Sequence, residues 1–153
     1  MQMNKKLYLN SYHIDKQLGV NMIAIFCLLL FVYASSIKLI QHEQFERQLS
    51  QMPMFSRTAA LVAWALPMVE LSLCGLLAFN MTRLVGLVGS LLLLTIFSLY
   101  LLIILNFAEQ LPYAGDIVFA ALGWKQHLAI NLALTALVYV GINLRMNSDY
   151  YKY

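Results

Sequence analysis

Charge is scarce in this chain. Only 11% of its 153 residues are Asp, Glu, Lys or Arg, whereas 61% are hydrophobic. A soluble domain carries about 25% charged and about 45–50% apolar residues, so this composition excludes both a water-soluble globule and a disordered segment. Cysteine is nearly missing: Cys27 and Cys74 both lie in apolar runs, in no Cys-x-x-Cys spacing. That leaves nothing from which to build a zinc cluster or a disulfide framework. The three histidines, His13, His42 and His127, are far apart, and none sits at the centre of an apolar run. With no His-Glu-x-x-His helix and no facing histidine pair, neither a metal site nor a haem site is expected. Ten Lys/Arg against seven Asp/Glu give a net charge of +3, but the basic residues are scattered. Nucleic acid is therefore not expected as a partner.

What the chain does have is four long apolar stretches, residues 19–37, 58–79, 84–105 and 128–144. Each is long enough to cross about 30 Å of hydrocarbon at about 1.5 Å per helical residue. Helices satisfy their own backbone hydrogen bonds in lipid, whereas a β-barrel needs shorter, alternating segments than these near-continuous runs. The expected fold is an all-α membrane protein: a four-transmembrane-helix bundle with a short amphipathic surface helix in the first outer loop. Residues 1–18 read as a cytoplasmic N-terminal arm, 19–144 as the membrane domain and 145–153 as a cytoplasmic tail. Val32-Tyr33-Ala34 imitates a signal cleavage site, but the apolar run continues past it and is longer than a secretory core, so the first segment is expected to remain. With the N-terminus inside, six basic residues lie on the inner side (Lys5, Lys6, Lys16, Arg83, Arg145, Lys152) and four on the outer (Lys38, Arg47, Arg57, Lys125). This asymmetry is expected to place both termini in the cytoplasm.

In the first outer loop, Phe45, Leu49 and Met52 recur at spacings of four and three among Glu43, Glu46, Arg47 and Gln48. Such spacing makes one apolar stripe on a short helix, expected to lie along the outer membrane surface until Pro53 ends it. The second outer connection, 106–126, carries Pro112, Gly115 and an apolar patch from Ile117 to Leu122. That patch is too short to span and long enough to dip back against the bundle. Trp64, Trp124, Tyr100, Tyr113 and the terminal tyrosines Tyr150, Tyr151 and Tyr153 are candidate interfacial anchors.

Glu70 is the most informative single residue, since it falls near the middle of the second stretch. An ionised carboxylate there costs at least a few kcal/mol unless it faces the bundle interior (about 2.5–3.5 kcal/mol on insertion scales). It reads either as a proton-accepting or ligand-orienting carboxyl, or as a protonated or paired group that locks helices together. Its expected counter-charge is Lys38, whose stem can bend inward; a simple snorkelling anchor is the other reading of that lysine. Pro67, one turn before Glu70, removes a backbone donor, and a kink there would open space beside the carboxyl. On the last stretch His127, Asn131, Thr135 and Tyr139 stand four apart, a stripe expected to face other helices. Ser72, Gly75, Gly86, Gly89 and Ser90 are expected to permit close helix contact. Glu109 and Asp116 read as solvated loop carboxylates.

Taken together, Phe31-Val32-Tyr33-Ala34-Ser35-Ser36-Ile37-Lys38-Leu39, Phe45-Glu46-Arg47-Gln48-Leu49, Leu66-Pro67-Met68-Val69-Glu70-Leu71, Leu105-Asn106 and Gly123-Trp124-Lys125-Gln126-His127-Leu128 with Asn131 resemble the MauE branch of the DoxX-like membrane proteins. The resemblance covers roughly residues 18–144 and implies a four-helix bacterial inner-membrane protein. It also implies an association with methylamine utilisation, in which the family supports production of a periplasmic, disulfide-rich dehydrogenase subunit. Lys38, Pro67, Glu70, Trp124, His127 and Asn131 match the family pattern as helix-packing or site-lining positions. Many relatives carry a Cys-x-Cys-Gly element after the outer proline, where this chain reads Pro112-Tyr113-Ala114-Gly115-Asp116. Thiol–disulfide exchange needs a thiolate, so this member has either lost redox function or uses the scaffold otherwise.

The leading expectation is an accessory protein, not an enzyme, that supports maturation or assembly of a periplasmic or membrane partner. Phe45, Leu49 and Tyr113 are its partner-binding candidates, and Glu70, Lys38, His127 and Asn131 its intramembrane polar ones; no cofactor is called for. Expected partners are the lipid bilayer, a periplasmic thioredoxin-like or other secreted protein, and further copies of the chain as an oligomer. The rival reading is a redox or quinone-linked membrane enzyme using Glu70, Lys38 and His127. Small-molecule transport is a third, for which four helices alone make a narrow conduit.

Overall fold

The computed structural model describes residues 2–52, 54–107 and 123–149, with side chains from 16–52, 54–106 and 123–146. Among the described residues five helices follow in order: α1 (Gln2–Ile40), α2 (His42–Ser50), α3 (Ala59–Ala78), α4 (Arg83–Phe107) and α5 (Trp124–Asp149). Four contain segments long and apolar enough to cross a membrane: Lys16–Ile40, Ala59–Ala78, Arg83–Asn106 and Trp124–Met146. These are the four stretches expected from the sequence, with ends moved by four residues or fewer, as fraying helix termini are. From Gln2 onward the N-terminal arm is part of α1. Its backbone is helical and continuous with the first span, since neither proline nor glycine interrupts it before Gly19 and helix propagates more easily than it starts.

Around the bundle the order is α1, α3, α4, α5: α1 and α4 each pack against both α3 and α5 and meet each other only briefly. Among the described residues no Cα atoms of α3 and α5 come within 8 Å of each other. One core cluster gathers Val20, Ala24, Cys27 and Phe31 of α1 with Leu73, Cys74 and Leu77 of α3, Leu87 and Leu94 of α4, and Val138 of α5. The α1 members are spaced four, three and four apart, the period of one helix face. Outside this core the surface is apolar: Met22, Leu29, Leu61, Ile96 and Leu132 are all exposed. An apolar surface this extensive belongs against lipid.

At one end the tight turn after α3 is tied by polar groups. Thr82 Oγ1 donates to the Leu76 carbonyl at 2.8 Å and Arg83 Nε to the Leu77 carbonyl at 3.2 Å, while the Arg83 guanidinium also reaches Asn21 Oδ1 on α1. These donors fill carbonyls that the end of α3 would otherwise leave unpaired. Gly86 lets α4 close on α3, since a Cβ there would stand 3.0 Å from the Leu77 backbone nitrogen. Gly75 and Ser72 do not serve this contact. Ser72 is exposed, and a Cβ on Gly75 would meet nothing within 4 Å.

At the opposite end α2 turns its apolar stripe into the protein. Phe45, Leu49 and Met52 are buried with Ala59, Ala63, Tyr100 and Ile104 in a second cluster. The outward side of α2 is polar, with the Arg47 and Glu43 side chains 73% and 92% exposed.

Candidate functional site

Lys38, in the last turn of α1, extends its ammonium to Glu70 on α3. Lys38 Nζ donates to Glu70 Oε1, and the two side chains are only 10% and 7% exposed. The ammonium also stands 6.0 Å from the centre of the Phe45 ring, close enough for attraction to the face of the ring. In a low-dielectric interior each charge is tolerable because the other is there. Glu70 Oε2 is buried with no hydrogen-bond partner.

Beside this pair lies a cavity of about 280 Å³ to which all five helices contribute. Lys38, Glu70, His127 and Asn131 all line it. The structure thus brings the four intramembrane polar candidates to one place. Trp124 lines the cavity too, with its ring centre 6.4 Å from that of His127. Pro67 is buried inside an unbroken α3 and does not line the cavity. Asn131 Nδ2, like Glu70 Oε2, has no hydrogen-bond partner.

Phe45 and Leu49 are also cavity walls. They are buried rather than displayed on an outer surface, because the same stripe that could cover lipid covers the bundle instead. Tyr113, the 106–126 connection beyond 107 and before 123, Pro53 and the terminal tyrosines lie outside the described residues. The His127 stripe does not hold its direction. Asn131 is buried and Tyr139 exposed, since steps of four advance about 40° each on a helix of 3.6 residues per turn. Tyr100 is no interfacial anchor: it is buried, and its hydroxyl donates to Met52 Sδ at 2.9 Å. Trp64 is exposed and meets the His42 ring edge-on at 4.2 Å.

Sequence reasoning missed Arg83 and Asn21 as partners, although a lone Asn within the first span was the available signal. Among the described residues no three His, Cys, Asp or Glu side chains come together. Cys27 and Cys74 are free and buried, with the Cys74 thiol directed at the Leu28 carbonyl at 3.6 Å.

An inward ion pair, an adjoining cavity and an apolar exterior define a small polytopic helical membrane protein. The chain matches the family Methylamine utilisation protein MauE over residues 16–144. It belongs to that family, and the match takes in all four membrane helices and both members of the ion pair. Comparison with curated proteins and with solved structures returns no match.

Proposed function

We propose that this methylamine-utilisation-associated membrane protein is an accessory component that supports the maturation or assembly of a periplasmic or membrane partner. We place it in the bacterial inner membrane with both termini cytoplasmic. The observation that carries the reading is the setting of α2: its apolar stripe anchors it to the bundle, and Glu43 and Arg47 point away from it. A short helix held rigidly from behind, with a charged face outward, is suited to recognising a protein surface by charge complementarity. The test is co-purification in mild detergent of wild type and of the variant Glu43→Lys, Arg47→Glu. The expected result is a stable partner with wild type that is lost from the variant, with unchanged thermal unfolding of the bundle. A wild-type protein that retains no partner, or a variant that retains it fully, overturns the proposal.

A second reading, a quinone-linked redox enzyme, is favoured by the cavity beside Lys38 and Glu70. It requires that Glu70→Gln abolish an electron- or proton-transfer activity of the wild type.

A further inference from the structure

Glu70 of α3 and Asn131 of α5 line the same cavity, and each holds a buried polar atom without a partner, the two of opposite hydrogen-bonding sense. Glu70 Oε2 on α3 can only accept while ionised, and Asn131 Nδ2 on α5 can only donate. Their residues are 5% and 8% exposed, and neither atom has a partner. A buried polar group left unpaired is costly, and native interiors hold few of them. Two such groups, in residues that line one cavity, point to an occupant that pairs with them.

Water alone is a poor occupant. A volume of about 280 Å³ corresponds to about nine molecules at about 30 Å³ each, and each buried water needs two to four polar partners. The walls are mostly hydrocarbon and aromatic, so most of those waters would lack partners. An ion is also unsuited, because Lys38 and Glu70 already neutralise one another. The rings of Phe45, Phe55, Tyr100 and Trp124 stand on the wall, with Phe55 and Tyr100 4.8 Å apart and tilted by 50°. Rings disposed in this way receive a further flat ring in offset or edge-on contact. Tyr33 of α1 and Phe97 of α4 line the cavity and are also exposed on the apolar exterior, so the site borders the lipid phase.

We infer that the cavity binds a neutral, lipid-soluble aromatic alcohol, a phenol or hydroquinone, whose hydroxyl donates to Glu70 Oε2 and whose oxygen accepts from Asn131 Nδ2. The inference goes beyond partner support. It shares its location with the redox reading but requires no turnover.

The experiment uses the full chain in detergent with Trp64→Phe, which leaves Trp124 as the single tryptophan and places the fluorophore on the cavity wall. The probes are para-hexylphenol and para-hexylanisole, which differ in the hydroxyl hydrogen. The phenol is expected to quench Trp124 saturably and the anisole to bind at least about tenfold more weakly, the ratio a hydrogen bond to a charged acceptor supports. Asn131→Leu removes the unpaired donor without exposing a new polar group. It should weaken phenol binding about fivefold while the protein remains folded by circular dichroism. Equal affinity for the two probes, no saturable quenching, or an Asn131→Leu protein that is folded and binds the phenol as wild type each overturns the inference. Saturable phenol binding without electron transfer upholds it and removes only the redox reading; loss of partner co-purification leaves it intact.

Discussion

Replacing Lys38 or Glu70 singly should damage this protein far more than replacing both. Each side chain is at most 10% exposed, so Lys38→Met leaves a buried carboxylate and Glu70→Leu a buried ammonium. Removing one partner of such a pair costs about 3–5 kcal/mol, whereas exchanging both for apolar residues of similar volume is neutral or stabilising by about 1–4 kcal/mol. The exposed Glu43–Arg47 pair on α2, at 3.5 Å and one helical turn apart, supplies an internal control, because such pairs contribute about 0.3–0.5 kcal/mol. The assay is unfolding of purified protein in mixed detergent micelles, followed by the helical circular dichroism signal. Wild type, Lys38→Met, Glu70→Leu and the double variant form a double-mutant cycle, with a coupling energy above about 3 kcal/mol expected for an interior pair. Single variants that cost under about 1 kcal/mol, or a double variant equal to the sum of the singles, would refute the reasoning. Either outcome would mean that water reaches the pair or that the two groups act independently.

The two glycines on facing helices should respond in opposite ways. Gly86→Ala forces a methyl against the backbone of Leu76 and Leu77 and is expected to destabilise by about 1–3 kcal/mol; Gly75→Ala, with open space around it, should be neutral or stabilising by up to about 1 kcal/mol. The same unfolding assay reads both. Arg83→Leu abandons the Leu77 carbonyl and Asn21 together and should cost about 1–3 kcal/mol, with Arg83→Lys restoring only part because an ammonium lacks the guanidinium fork. Cys27 and Cys74, both buried, should react with N-ethylmaleimide only after unfolding, as read by mass spectrometry. Rapid labelling of the folded protein would contradict their placement.

The spans were legible because length and apolarity alone decide what crosses a bilayer, and four such runs leave little else to build. Glu70 was legible for the converse reason: a carboxylate in the middle of a span has few tolerable environments, and a lysine within reach is one of them. The direction in which the α2 stripe faces was not, since Phe45 and Leu49 would be equally apolar against lipid or against Tyr100 and Ala63. Nor could local spacing reveal that Gly75 and Ser72 face outward. Those outcomes depend on which neighbours each helix meets. Arg83 read only as one more basic residue for assigning orientation, because it joins the end of α3 to Asn21 of α1, 62 positions before it in the chain.

The ring order of the helices sets α3 and α5 on the wider diagonal of the bundle. Glu70 and Asn131 therefore stand on opposite sides of the cavity, while α1 and α3 are pinned by charge at one end and the α3–α4 turn is laced to α1 at the other. Both fastenings converge on α1, which makes that helix the post from which the rest of the bundle is hung.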